Sequence, residues 1–352
     1  MRVLVASDHL GALTSAEAGS ILAEAWQGHD VVVIPMGESG SGWLQSVADQ
    51  VDESVALLST SADETAPMAL MVVGEDLLAV AVESARERDG IDWTASSAPL
   101  GAAVAGALGD TATPRTLAID LGGLTSHDAG AGFLQALGAR ADRDLSGGVA
   151  GLGQVGFVDI DPVRERLGEC ELVGIVPSAE RSSHLLGLRG ITSIAGREAG
   201  LDAARMLAAD GALERFVGLV APEFATEAGA GAAGGLGWAI RALGGRLVTG
   251  PEFAVERHGL DDLARQAELI VTGCASYDFA SRGGGVVAAL ASLGESTMTP
   301  CIVVAGTVVI GAREMRTMGV EAAYPAWPDG VAGDPAESLR TVAARVARTW
   351  SW

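Results

Sequence analysis

Apolar residues in this chain come in short unbroken runs rather than in strict alternation. Residues 1–8, MRVLVASD, form one such run and close on a polar pair. β-branched runs of this kind predict strands buried on both faces, as in a parallel sheet. Residues 13–26 follow with helical spacing, with Thr14 or Ser15 as the cap and Glu17 or Ala18 in the first turn. The run HDVVVIPMG then stops at Gly37 and predicts a second strand. Strand, helix, strand is the opening of a parallel α/β sheet.

The far end repeats the style. Strands are predicted at 268–272 (ELIVT), 300–305 (PCIVVA) and 321–324, and helices at 282–293, 313–318 and 335–349. In the middle, residues 69–83 predict a hairpin opening at Gly74-Glu75-Asp76. Residues 115–121 (RTLAIDL) predict a strand running into a glycine turn, and 130–137 a helix. Residues 139–152 read as a polar, glycine-rich loop, and 236–243 as a helix stopped by Gly244-Gly245. The pattern predicts an α/β protein of two lobes, one made from both chain ends and the other from the middle, with a cleft between them.

Composition narrows the chemistry. The 352 residues are 49% hydrophobic and 19% charged, which excludes a disordered chain and is enough for two packed cores. All 23 Lys+Arg positions are arginine, so no mechanism uses a lysine. A net charge of −22 argues against nucleic acid and anionic membrane surfaces as partners. Three scattered cysteines, Cys170, Cys274 and Cys301, make neither a disulfide framework nor a zinc site and fit a reducing, cytoplasmic setting. No signal peptide or membrane span is read. The oligomeric state stays open.

Four segments carry candidate chemistry. Ala6-Ser7-Asp8-His9 follows the first strand, and ligands of open parallel sheets sit outside strand carboxyl ends. Asp8 and the helix start at Ser15 are placed accordingly. Residues 120–132 (DLGGLTSHDAGAG) run from strand through a glycine turn into a helix, with Ser126, His127 and Asp128 at the turn. Residues 229–237 (GAGAAGGLG) contain G-x-G-x-x-G, but no strand precedes them. A dinucleotide site is therefore rejected, and a phosphate cradle of Gly229, Gly231, Gly234 and Gly235 is kept. In residues 273–285 (GCASYDFASRGGG), Asp278 suits a hydroxyl or Mg²⁺ and Arg282 a carboxylate or phosphate. Cys274 has no histidine near it in sequence and reads as a buried thiol. The signatures of P-loop, zincin and nucleophile-elbow chemistry are missing.

Together these segments resemble the bacterial glycerate kinase family. VLVASDHLGALTSAEAGSILAEAW is similar to its opening strand and helix, and IPMGESGSG to its V-P-x-A-D-G-G-E-G stretch. GGLTSHDAGAGFLQALGA is similar to G-G-S-A-T-N-D-G-G-A-G-x-L-Q-A-L-G-A, GAGAAGGLGWAI to its glycine loop, and LIVTGCASYDFAS to L-V-I-T-G-E-G-R-x-D-x-Q-T. This chain has Gly11 for the family's lysine, His9 for its serine, His127 for its asparagine, and Cys274 and Ser276 for its glutamate and arginine. Asp8, Asp128 and Asp278 match.

The resemblance implies a discontinuous Rossmann- or flavodoxin-like lobe from residues 1–66 and 263–352, with a mixed α/β lobe, residues 67–262, inserted. It implies transfer of the ATP γ-phosphate, with Mg²⁺, to a hydroxyl of D-glycerate or a related small hydroxy acid. Asp278, Asp128 and Asp8 then take catalytic roles, and Arg282, Ser126, His127 and Ser15 bind the acid. Gly229, Gly231, Gly234 and Gly235 hold the nucleotide. Without lysine, arginines such as Arg181, Arg189, Arg282 and Arg313 must neutralise the anions. The alternative is a silent family member kept for ligand sensing or partner binding.

Overall fold

A computed structural model describes residues 1–51, 56–58, 69–74, 76–82, 91–110, 113–327 and 333–351. The chain divides into two compact units. One comprises Met1–Glu38, Gln45–Glu53 and Thr249–Trp352, and the other Ser39–Leu44 and Ser54–Val248. The lobe boundary expected at residue 66 lies outside the described residues.

The unit built from both chain ends holds a five-stranded sheet, all parallel. Its order is Ala322–Pro325, Cys301–Val309, Leu269–Asp278, Arg2–Ser7, Asp30–Pro35. Chain order reverses between Arg2–Ser7 and Leu269–Asp278. That is the switch point of a doubly wound sheet, where a crevice opens outside the strand carboxyl ends. The unbroken apolar runs are explained by burial on both faces. Val3, Val5, Leu269, Val271, Ile302 and Val304 pack with Leu22 of helix Ser15–Glu24, Trp26 in the turn after it and Val346 of helix Pro335–Trp350. The intervening Leu4, Ala6 and Ile270 pack with Leu260, Val286 and Leu290 on the opposite face. Thr14 caps the first helix in a reciprocal box. Its hydroxyl accepts the Glu17 N–H at 3.2 Å, and the Glu17 carboxylate accepts the Thr14 N–H at 2.9 Å.

The strand expected at 268–272 is longer than its apolar run. It continues through residues 273–278, which had read as a turn, and pairs with Cys301–Val309 as far as Asp278 opposite Val309. Past Cys274 the continuous burial ends: Ala275 is exposed, Ser276 and Asp278 are half-buried and Tyr277 is buried, so no unbroken apolar run marks this part of the strand.

The middle unit holds a six-stranded mixed sheet in the order Arg246–Val248, Glu171–Ile175, Thr116–Asp120, Leu77–Val82, Ala69–Val73, Ala56–Leu58. The first four strands are parallel and the last two pair antiparallel. Ala69–Val73 and Leu77–Val82 form the expected hairpin; Glu75 in its turn lies outside the described residues. The stretch 139–152 is not plain loop. It contains strand Arg140–Ala141, paired with Val158–Asp159, and helix Gly148–Leu152. Among the described residues no helix is long and apolar enough to cross a membrane.

Candidate functional site

In the first unit, Asp8 follows strand Arg2–Ser7 and Asp278 closes strand Leu269–Asp278, five residues past the Gly273 that Asp8 meets. The Asp8 N–H donates to the Gly273 carbonyl at 3.1 Å, locking the end of strand Arg2–Ser7 against its neighbour. The Asp8 carboxylate accepts from the His9 N–H at 2.7 Å and lies 2.8 Å from His9 Nδ1. That hydrogen bond holds the His9 imidazole above its ordinary pKa, so His9 carries positive charge further towards neutrality. The Cys274 thiol is pushed up to about 12, first by burial and then by the charges of Asp8 and Asp278. A thiol so placed is inert as a nucleophile.

Asp278 is held in a ring of donors. Its carboxylate accepts the Ser281 N–H at 2.7 Å and the Ser281 hydroxyl at 2.9 Å, with the Ser276 hydroxyl at 3.3 Å. The Thr307 hydroxyl in turn donates to Ser276 at 3.1 Å. These donors keep the Asp278 pKa below its usual range, so it is ionised at neutral pH. Asp8 and Asp278 are two carboxylates within electrostatic reach of one thiol, at the strand ends where a doubly wound sheet takes its ligands.

The turn after Asp278 is tight. Arg282 has φ +53°, and its N–H donates to the Asp278 carbonyl at 2.9 Å while its side chain is exposed. A long side chain in the left-handed region costs about 1 kcal/mol or more and persists where surrounding structure demands it. The helix Gly284–Thr297 starts here, and the Gly285 N–H donates to the Glu38 carboxylate at 2.9 Å. Ser15 is buried as the first residue of helix Ser15–Glu24.

In the second unit, Asp128 is a buried hub. Its carboxylate accepts N–H groups of Ser97 (2.8 Å), Gly130 (3.0 Å) and Gly132 (3.2 Å), plus the hydroxyls of Ser97 (2.9 Å) and Ser96 (3.3 Å). The Ser97 oxygen also accepts the Phe133 N–H at 2.9 Å. Asp128 and Ser97 therefore supply the partners that the first turn of helix Ala131–Leu137 lacks. Burial pushes Asp128 upward while these donors oppose it.

His127 is buried, with Nε2 2.8 Å from the Thr192 hydroxyl and its ring edge-on to Trp93 at 6.3 Å. Burial lowers its pKa to about 4, so it is neutral at pH 7 and offers no positive charge to an anion. Ser126 is buried with its hydroxyl 3.5 Å from the Ala233 carbonyl.

The glycine loop packs against this segment. Ala233, Gly234 and Gly235 are successive left-handed residues, and the Gly234 carbonyl accepts the Ala129 N–H at 3.0 Å. A side chain at Gly234 would collide with the Ser126 carbonyl, so the glycine serves a backbone-to-backbone contact. Gly235 abuts Ala129, Gly231 abuts the His184 carbonyl, and Gly229 lies against Leu247. The Ala233 N–H is taken by the Glu180 carboxylate at 3.0 Å.

Two acids of this unit were given no role from sequence: Asp120, which opens the segment 120–132, and Glu180. Asp120 ends strand Thr116–Asp120 fully buried. Its Oδ2 accepts the Gly40 N–H at 2.7 Å, while Oδ1 has no hydrogen-bond partner among the described residues. Burial raises its pKa to about 7. The Gly40 and Gly122 N–H groups and the Ser39 hydroxyl pull it down, and the Glu180 charge pushes it further up. Glu180 is itself raised by burial. An acid closing an otherwise apolar strand, LAID, was the local signal for Asp120. Glu180 and the Ser96-Ser97 pair had none, because their partners lie 53 and 31–32 residues away in sequence.

Among the described residues no group of three or more His, Cys, Asp or Glu side chains is arranged to hold a metal ion alone. Mg²⁺ in phosphoryl-transfer sites takes one or two carboxylates, with waters and substrate phosphates filling the rest. The oxygen donors of Asp8 and Asp278 suit that kind of binding.

Comparison with known proteins agrees with these observations. The glycerate kinase family profile matches residues 3–351. An uncharacterised protein of Mycobacterium bovis is 29% identical over 99% of this chain and 91% of its own length. The glycerate kinase of Bacillus subtilis is 25% identical over 94% of this chain and 91% of its own. The glycerate 2-kinase of Escherichia coli is 25% identical over 92% and 90%. A solved Salmonella typhimurium LT2 structure, carrying the name glycerate kinase 2, shares the fold with TM-score 0.81 at 23% identity, covering 99% of this chain and 98% of that one. The chain belongs to the glycerate kinase family.

Proposed function

We propose that this protein is a Mg²⁺-ATP-dependent kinase that phosphorylates a hydroxyl of a small hydroxy acid, D-glycerate first among them. The observation that carries this reading is the pair Asp8 and Asp278, at the carboxyl ends of adjacent parallel strands and both acting on Cys274. Mg²⁺ bound there would neutralise phosphate charge and orient the transferring group.

Asp278 suits the role because its hydroxyl and N–H partners fix its orientation and keep it ionised. Asp8 suits it because His9 and Gly273 fix its backbone and carboxylate. In a lysine-free chain, we assign the Arg282 guanidinium to the anionic substrate groups, joined by His9 when it is protonated, a form Asp8 favours. In the other unit Asp128 positions the Ser126–His127 segment, with neutral His127 and Ser126 offered to the hydroxy acid. The Gly229–Gly235 loop is offered to phosphate once Glu180 leaves the Ala233 N–H. The free, dispersed cysteines suit a reducing cytoplasm.

The test is ADP release from Mg²⁺-ATP by the purified protein across a panel of hydroxy acids. D-glycerate-dependent release with phosphoglycerate as product supports the reading. No release above background with any acid overturns it.

A further inference from the structure

Outside the residues considered so far, the second unit carries a surface groove of about 320 Å³. One wall is helix Ala203–Val220, which presents Arg205, Ala208, Ala209, Ala212 and Arg215 as a single stripe at helical spacing. The other wall is helix Gly148–Leu152 with Trp93. The volume lies at the small end of the range for small-molecule sites.

The stripe has a definite chemistry. Ala208, Ala209 and Ala212 make a floor without branches, which suits a planar apolar body. The arginines stand at its two ends, and both reach inward. The Arg205 guanidinium lies 4.7 Å from the centroid of the Trp93 ring. The Arg215 guanidinium folds back towards the helix start, with Nη1 3.7 Å from where a Gly211 side chain would begin and Nη2 3.6 Å from the same point on Gly153.

Among the described residues the lining holds these two guanidinium groups and no carboxylate. These guanidinium groups are the charged side chains facing the apolar floor. A guanidinium stacked on an indole still has its N–H edges free for a carboxylate fork.

Trp93 also ties the groove to the interior. Its carbonyl accepts the Ala150 N–H at 3.0 Å, and its ring meets His127 edge-on. Three and four residues on, Ser96 and Ser97 bind the Asp128 carboxylate.

We propose that this groove binds a small aromatic carboxylate, with its ring on the alanine floor beside Trp93 and Arg205 and its carboxylate held by Arg215. This assignment is independent of the kinase reading and of the groups assigned to phosphate and glycerate.

Isothermal titration of the full chain with 2-naphthoate tests it. The expected result is saturable 1:1 binding at sub-millimolar concentration, weakened at least about tenfold in an Arg205→Gln, Arg215→Gln double variant. The uncharged analogue 2-naphthamide should bind the wild type at least about tenfold more weakly than the acid. Ala208→Trp, at an exposed position, should fill the floor and abolish binding while thermal unfolding stays unchanged. The proposal is overturned if naphthoate shows no saturable binding at millimolar concentration, or if the amide binds as well as the acid. It is equally overturned if binding survives in Ala208→Trp, or if Mg²⁺-ATP displaces the naphthoate, which would give the groove to the nucleotide.

Discussion

The Glu180 carboxylate accepts the Ala233 N–H at 3.0 Å, at the centre of the glycine loop that the sequence offers to phosphate. An internal anion therefore stands where an external one is expected. The first unit repeats the device: the Gly285 N–H at the start of a helix is held by Glu38 at 2.9 Å. In both places a side chain supplies the negative partner that backbone donors favour. Glu180→Gln removes a charge that phosphate must displace. Its affinity for inorganic phosphate should rise roughly tenfold, read by calorimetry. An unchanged or weaker affinity would show that the Ala233 N–H is not a phosphate donor.

The same charge helps hold Asp120 near pKa 7. A carboxyl whose folded pKa lies above its unfolded value adds stability that is complete below the unfolded value, near 3.8, and is lost as pH rises through about 7. Asp120→Asn keeps an acceptor for Gly40 and cannot ionise. It should be more stable than the wild type at pH 8, by an amount on the order of 2–4 kcal/mol, with the gap closing towards pH 4. Parallel thermal melts at the two pH values check this. A gap independent of pH would contradict it.

His127 works in the opposite sense. Its folded pKa of about 4 lies below the ordinary 6.5, so its stability contribution is complete above 6.5 and is lost as pH falls towards 4. Across that window Asp120 and His127 oppose each other and largely cancel. His127→Asn should therefore expose the Asp120 slope and gain stability relative to wild type on acidification, by about 2–3 kcal/mol. Asp120→Asn should expose the His127 slope and lose stability over the same range. Denaturant titrations at pH 7 and pH 4.5 separate the two, and identical slopes in both variants would refute the assignment.

Asp128 is expected to matter for folding before it matters for turnover. Asp128→Ala strands the N–H groups of Ser97, Gly130 and Gly132 in a buried site. The cost should be about 3–5 kcal/mol of unfolding free energy. Asp128→Asn, which still accepts on one oxygen, should lose less. Urea titration of both variants decides the point, and a loss under about 1 kcal/mol for the alanine variant would contradict the hub assignment.

The architecture was legible wherever burial on both faces produced a continuous apolar run. Strand Arg2–Ser7, its following helix with the Thr14–Glu17 box, and the helix stopped near Gly244 all follow from local chemistry. The signal failed at residues 273–278, where only part of the strand is covered and the side chains turn small and polar. It failed again at 139–152, where short elements are specified by tertiary contacts such as Ala150 on Trp93. Of the candidate site, Asp8 was placed by the end of its apolar strand, whereas Asp278 was read in a turn beyond residue 272 and in the folded chain closes the strand itself. The partners were not readable, since Glu180 meets Ala233 and Ser97 meets Asp128 only through the folded chain. The glycines of residues 229–237 illustrate the difference. Their spacing suggested a ligand cradle, and in the folded unit much of that freedom is used to admit the Ser126–Ala129 backbone.

The most direct test of the account is the D-glycerate-dependent release of ADP by Asp278→Asn beside wild type, across a Mg²⁺ titration. Asparagine preserves size, keeps an oxygen for the Ser281 N–H and turns an amide donor to the Ser281 hydroxyl, while removing the charge. The account predicts a kcat lower by about 10²–10³-fold, a higher Mg²⁺ requirement and an unchanged melting profile. Full activity of the variant at the wild-type Mg²⁺ requirement would contradict it.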